Sequence, residues 1–465
     1  MLRRVAGGAS LLRLRPFDIS TPDGRSRERY RRAAWSMTAN LLSTALNVVT
    51  LLAAVPLTLP YLGSERFGVW MTIASLIGLL SFLDLGVGNG LINHVSHAQA
   101  NEDPKMRVRQ VVSRGLALLT VIALLACAAA WPLLKWVDWS WVLKSASKGT
   151  IAESRSALVV FAGLFALNIP LGGAAKVFVG LQRGWIPYGI KAIASLASLA
   201  ALYVASKQQM GIAALLLATY GIQVTFQLVL PVLLIREGLC KFRGLFASHG
   251  AWRDLRSISS SGGLFFALQI GTMIGWGADP IIVSSVLGPA NVASLAIVQR
   301  LFQFVTVPLA ILNAPLWTAY ADARARGDGG FIRRTLLRSM SVTISTAFVL
   351  SLMIVLSSSY VISHWVDHAI YVPITFVAIY AVWSIMDAAG NAFGMFMNGV
   401  NEIRIQLMAV ALFCPLALIL KWKLTQQYGL NGLVVGTMVS YILSVPLLYI
   451  VIFRQKISEH WLHQM

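Results

Sequence analysis

The sequence predicts an all-α polytopic membrane protein of twelve transmembrane helices, and three observations carry this. Apolar and aromatic residues make up 57% of the 465-residue chain and charged residues only 12%, whereas a soluble globular chain carries roughly 25% charged residues. Mean hydropathy is +0.71. The apolar residues are gathered into long runs, and a helix spanning the hydrocarbon core needs about 20 of them in succession. Such runs place helices at 37–60, 67–93, 111–134, 157–181, 187–206, 210–235, 260–287, 291–319, 335–357, 371–398, 403–421 and 429–453.

The formal charge is +20, from 38 Lys and Arg against 18 Asp and Glu. Nucleic acid is the partner of a basic chain when the charge covers a polar surface, but most of this surface is apolar. The charge is topological instead. Lys and Arg on the termini and even-numbered loops outnumber those on the odd-numbered loops by more than three to one. Short loops rich in Lys and Arg stay in the cytoplasm, so both termini are expected inside and nucleic acid is not needed. Residues 1–36 read as a basic cytoplasmic tail. Nine Arg and no apolar run in residues 1–32 exclude a cleavable secretory signal, and Asp18, Asp23 and Glu28 count against a mitochondrial transit peptide. The expectation is a disordered tail lying against an anionic inner leaflet. Cys127, Cys240 and Cys414 lie too far apart for a metal or disulfide framework, and no cofactor is expected.

The second half repeats the first. Leu62-Gly63 opens the second span and Leu287-Gly288 the eighth, 225 residues later. Phe161 to Arg183 overlays Tyr380 to Glu402 at an offset of 219, pairing Asn168 with Asp387 and Gly180 with Gly399. Gln208-Gln209-Met210-Gly211 overlays Gln426-Gln427-Tyr428-Gly429 at 218, with Leu215 on Leu433 and Thr219 on Thr437. A duplicated unit of six helices keeps its orientation, because six is even, and gives parallel repeats about an axis along the membrane normal. The expected lobes are 37–236 and 258–453, joined by the basic linker 237–257 and followed by a cytoplasmic tail at 454–465. Two such lobes with a cleft between them are transporter architecture.

Polar residues inside spans are expected to line that cleft. Asn40, Ser43, Asn47 and Thr50 form one helical stripe, as do Gln269, Thr272, Trp276 and Asp279; Gln299, Arg300 and Gln303 cluster on the eighth span, and Trp383, Asp387, Asn391 and Asn398 lie along the tenth. The plain alternative for the amides and hydroxyls is interhelical hydrogen bonding, worth about 0.6 kcal/mol each. Arg300 is different. It lies about nine residues from the outer end of its span, and a guanidinium at mid-membrane is a natural ligand for phosphate through its planar fork of donors. Asp84, Asp279 and Asp387 are the acids inside spans. A desolvated carboxylate can exchange protons near neutrality or hold Na⁺, with ion pairing to Lys176, Lys191 and Arg300 as the structural alternative. Lys176 and Lys191 lie near cytoplasmic ends, where they snorkel or meet an anionic headgroup.

Several apparent motifs carry no chemistry. Gly86-Val87-Gly88-Asn89-Gly90 sits within a span and not on a strand-to-helix turn, so it is no dinucleotide site. His94 and His97 lack a third ligand, so no metal is expected. Trp131, Trp136, Trp139 and Trp141 flank the third span as an aromatic belt. No Walker A sequence is present, so ATP does not drive transport from this chain alone.

The segment "YLGSERFGVWMTIASLIGLLSFLDLGVGNGLINHVS" (61–96) resembles the second-helix signature of bacterial polysaccharide flippases of the O-antigen and exopolysaccharide type. These belong to the multidrug/oligosaccharidyl-lipid/polysaccharide exporter (MOP) superfamily. "ADPIIVSSVLGPANVASLAIVQRLFQ" (278–303), "NGVNEIRIQLMAVAL" (398–412) and "YGLNGLVVGTMVSYIL" (428–443) are similar to their later helices. The likeness covers roughly 37–453, with His94 and Ser96 standing where such proteins often carry Arg. It implies a V-shaped pair of lobes, alternating access and H⁺ or Na⁺ coupling. The implied substrate is an undecaprenyl-diphosphate-linked oligosaccharide, moved from the cytoplasmic to the periplasmic leaflet of the inner membrane. A polysaccharide polymerase and a chain-length regulator are the implied partners. Read with the residues, Arg300, Gln303, Gln299, Lys176, Lys191 and Asn47 are the candidates for binding substrate, and Asp279, Asp387 and Asp84 for ion coupling. The alternatives are a cation-coupled multidrug exporter of the same fold and a membrane-embedded glycan polymerase or ligase. The latter is disfavoured because the longest outer loop, 135–156, holds only Asp138 and Glu153 as acids.

Overall fold

A backbone in hydrocarbon must satisfy its own hydrogen bonds, and a helix does so within one segment; the long apolar runs are accordingly helical. The computed structural model describes residues 17–18, 22–80, 87–99, 103–136, 147–241, 271, 275, 277–325, 327–366, 370–400 and 402–460. The helices are α1 (Pro22–Leu80), α2 (Val87–Ala98), α3 (Pro104–Trp136), α4 (Lys148–Gly180), α5 (Trp185–Lys207), α6 (Ile212–Arg236), α7 (Asp279–Leu287), α8 (Pro289–Ala325), α9 (Gly329–Trp365), α10 (Ile374–Gly399) and α11 (Ile403–His460). No strand occurs among the described residues, and nine helical stretches there are long and apolar enough to cross a membrane. The protein is an all-α, multi-pass membrane protein.

Two of those nine stretches, Ala34–Leu76 and Arg404–Pro446, are 43 residues long. As straight helices they would measure about 65 Å, twice the ~30 Å hydrocarbon core. Each is broken by a glycine in a conformation that side chains disfavour: Gly63 at φ 71°, ψ 169° and Gly429 at φ 61°, ψ −141°. The first break falls between the first and second expected spans, and the other at the first residue of the twelfth. The seventh expected span, 260–287, lies largely outside the described residues, and α7 is its described end. In α6 a π-helical turn, Leu217–Gly221, interrupts the α geometry, and the Thr219 carbonyl within it accepts a hydrogen bond from Ser198 Oγ of α5 at 3.0 Å.

The chain divides into two compact units. One comprises Met1–Ala54, Leu80–Val137 and Arg155–Phe266; the other comprises Val55–Leu79, Asp138–Ser154 and Ala267–Met465. Residues 55–79 and 138–154 thus group with the C-terminal half of the chain. In the second unit the Arg66 guanidinium meets the Glu153 carboxylate through two hydrogen bonds, at 2.9 and 2.8 Å. There, too, a Cβ at Gly68 would run into the Pro289 carbonyl.

Positions paired by the internal repeat share local structure. Gly288 has φ 88°, ψ 159°, close to the values at Gly63. Thr219 Oγ1 donates to the Leu215 carbonyl at 2.7 Å, and Thr437 Oγ1 to the Leu433 carbonyl at 2.9 Å. In the first unit Gly180 lets α4 approach α2, where a Cβ would lie 2.9 Å from the Ile92 carbonyl. Gly399 does the same in the second, where a Cβ would lie 2.8 Å from the Trp317 carbonyl of α8. Ser96 Oγ and Gln99 Nε2 both donate to the Gly180 carbonyl, at 3.1 and 2.8 Å, which gives Ser96 a packing role.

Of the tail expected to be disordered, residues 22–36 are helical, because α1 begins at Pro22; residues 1–16 lie outside the described residues. Glu28, only 4% exposed, organises the start of this helix. It accepts hydrogen bonds from Arg31 Nε (2.8 Å), Arg32 Nε (3.0 Å) and the Phe17 backbone N–H (3.0 Å). The Arg31 guanidinium, with Phe17 and Arg32, holds the Glu28 carboxyl down at about 2, from the usual 4.5, against the opposing effect of burial. A lowered carboxylate stabilises the fold fully above the unfolded value and loses that contribution as pH falls through the folded one. Hydrogen exchange at the Phe17 amide is therefore expected to stay slow at neutral pH and to accelerate between about pH 4.5 and 2 beyond its intrinsic pH dependence. In Glu28→Gln the amide should exchange fast at neutral pH; slow exchange there would remove Glu28 from the account.

Candidate functional site

In the second unit the polar side chains gather on α7, α8, α10 and α11. α8 is apolar and buried through Val292–Val298 except at Ser294, and then presents Gln299, Arg300 and Gln303 within little more than one turn. Arg300 is 6% exposed, and its Nη2 donates to Met71 Sδ at 3.1 Å. Gln299 is hydrogen-bonded to the Tyr380 hydroxyl of α10, which stands within electrostatic reach of both Asp279 and Asp387. The Tyr380 ring packs on Phe302, with centroids 5.2 Å apart. One hydroxyl thus marks the neighbourhood shared by Gln299, Asp279 and Asp387.

Asp279 opens α7 and is engaged by a residue absent from the sequence candidates. Lys421 Nζ lies 2.6 Å from Asp279 Oδ1, with the Lys side chain 0% exposed and the Asp side chain 13%. The same Nζ donates to the Gly275 carbonyl. Lys421 ends the eleventh expected span, a place where Lys ordinarily snorkels to the headgroups. Its face was the available signal. Phe413, Ala417, Lys421 and Thr425 recur every fourth residue, and all four are 0% exposed.

Trp70 Nε1, Gln303 Oε1 and Asn391 Oδ1 are buried in this unit and bond to no described group. Each such atom costs about 1–3 kcal/mol until something satisfies it. Asn47 on α1 and Lys176 on α4 are half-buried and Lys191 on α5 is exposed; all three belong to the first unit. The structure therefore groups Arg300, Gln299, Gln303, Asp279 and Asp387 in one unit and the other three candidates in the other. Asp84, Gln269, Thr272 and Trp276 lie outside the described residues. Thr50 donates to the Ser195 carbonyl at 3.1 Å and Ser43 to the Asn40 carbonyl at 2.9 Å, so part of the first-span stripe bonds to helix backbone.

No family model matches the chain. Among curated proteins, one named for O-antigen export in Yersinia pseudotuberculosis is 23% identical over 414 residues, 84% of this chain and 89% of that protein. Among solved structures, the inward-facing conformation of a multidrug resistance MATE family transporter of the MOP superfamily aligns with a TM-score of 0.74 at 14% identity. The alignment covers 90% of this chain and 99% of that one. The chain has the fold of that transporter. The lipid II flippase MurJ, in an inward closed conformation, aligns at a TM-score of 0.69 and 11% identity, over 89% of this chain and 87% of its own. The MOP resemblance read from residues 61–96 and 278–303 is thus borne out at both levels, by a relative named for O-antigen export and by the fold.

Proposed function

We propose that this protein is a flippase. It carries an undecaprenyl-diphosphate-linked oligosaccharide from the cytoplasmic to the periplasmic leaflet of the bacterial inner membrane, with both termini in the cytoplasm. Two parallel-repeat lobes, 37–236 and 258–453, alternate access to the substrate, and H⁺ or Na⁺ drives the cycle. The observation that carries this reading is Arg300, a guanidinium 6% exposed within a span and set beside Gln299 and Gln303. A diphosphate brings about two negative charges that lose water on crossing, and Arg meets them with two parallel hydrogen bonds. Gln299 and Gln303 supply neighbouring polar contacts. Lys176, Lys191 and Asn47 receive the headgroup in the first unit. Asp387 and Asp279, with Asp84, are the carboxylates through which the driving ion acts.

The name of the Yersinia relative supports a glycan cargo, and the MurJ title supports a lipid-linked one. Multidrug transporters share the fold, but a cationic drug favours a cavity dominated by acids, and a buried Arg300 opposes it. Deleting the gene is expected to stop surface polysaccharide and to leave lipid-linked repeat units in the inner leaflet, read by leaflet-specific labelling of the glycan. Normal flipping with failed polymerisation in that strain would point to a polymerase or ligase instead.

A further inference from the structure

Lys421 is a buried charge to which the transport reading gives no task. Its ammonium rests on two oxygens, the Gly275 carbonyl and Asp279 Oδ1, the latter at 2.6 Å. Both oxygens belong to the stretch leading into α7, where residues 275 and 277 depart from α geometry and Asp279 opens the helix. A backbone carbonyl beside a carboxylate, within a membrane-spanning unit, offers oxygens of the kind that monovalent cations use. Close approach is built in. A Cβ at Gly275 would run into the Phe413 ring, and Phe413 belongs to the same fully buried stripe of α11 that carries Lys421. The stripe fixes the lysine stem and delivers its end to the two oxygens.

We propose that Lys421 is a tethered cation: its ammonium fills a monovalent-cation seat formed by Asp279 and the Gly275 carbonyl, and removing it opens that seat to Na⁺. An ammonium and a sodium ion each bring one positive charge to the carboxylate. The ammonium arrives covalently attached, so its effective concentration at the seat exceeds that of the free ion. The seat is therefore loaded at all Na⁺ levels. Under the transport reading, Asp279 then takes part in ion exchange only where Lys421 vacates it, and Asp387 and Asp84 carry the exchange otherwise; only this consequence rests on that reading.

The test is binding of radiolabelled Na⁺ to the purified full chain, with N-methylglucamine chloride holding ionic strength constant. The wild type is expected to show no binding that Asp279→Asn removes. Lys421→Ala is expected to gain saturable binding of one Na⁺ per chain, lost again in Asp279→Asn/Lys421→Ala. Where Lys421→Ala fails to survive extraction without Na⁺, its recovery in Na⁺ but not in N-methylglucamine is the same gain. Three results overturn the proposal: wild-type binding abolished by Asp279→Asn, a folded Lys421→Ala that binds nothing, or a Lys421→Ala recovered in neither buffer while the double variant folds. None of these readouts involves flipping, so failure of the transport reading would leave the seat standing, and the reverse also holds.

Discussion

Arg300→Ala is expected to reduce flipping of lipid-linked oligosaccharide in reconstituted vesicles by about a hundredfold or more while leaving a folded protein. Removing one partner of a desolvated, hydrogen-bonded charge pair costs about 2–5 kcal/mol, and each 1.4 kcal/mol is tenfold in an equilibrium. Arg300 is 6% exposed, so no bulk water stands ready to replace it beside the diphosphate. Arg300→Lys should rescue only partly, because an ammonium supplies the charge without the planar fork. Arg300→Met serves as a further folding control, since it keeps an apolar stem against Met71 and adds no charge. Wild-type flipping by a folded Arg300→Ala would remove the diphosphate from this residue.

The second large effect belongs to stability. Lys421→Met, assayed without Na⁺, is expected to cost about 3–5 kcal/mol, because it leaves the Asp279 carboxylate uncompensated in a buried setting. Asp279→Asn alone should be destabilising for the mirror reason, with a fully buried ammonium left over. Replacing both partners, as Asp279→Asn with Lys421→Met, should return most of the loss, since the strain lies in the unmatched charge and not in the missing pair. Thermal unfolding of the four proteins gives the interaction directly as a double-mutant cycle. Simple addition of the two single effects would show that the pair does not couple.

The same two residues show where sequence reading reaches and where it stops. The helices were legible because hydrocarbon imposes one solution on an apolar run, and the breaks at Gly63 and Gly429 fall where polar residues already separated the spans. Arg300 was legible because a guanidinium nine residues into a span has nowhere to snorkel. Lys421 was not, because a lysine at the last residue of a span can reach the headgroups. Its partner lies 142 residues away, beyond the reach of any local pattern. The role of Glu28 was hidden for a related reason: composition averages over a tail, whereas a helix start depends on one carboxylate set beside Arg31 and Arg32. Polar stripes were a mixed signal, since Thr50 bonds to backbone while Gln299 reaches Tyr380.

The π turn in α6 separates the length of that span from its orientation. In a regular α-helix one added or lost residue rotates everything beyond it by about 100°, swinging a core-facing stripe toward lipid. A turn closed by i→i+5 bonds holds one residue more than its neighbours, so Leu217–Gly221 absorbs the surplus locally. Leu215 and Leu216 before it and Leu230 and Leu234 after it are all buried, and both flanks keep their aspect. Lineages of this protein can therefore differ by one codon within these five residues without redrawing the rest of the span, a freedom that an unbroken α-helix does not have.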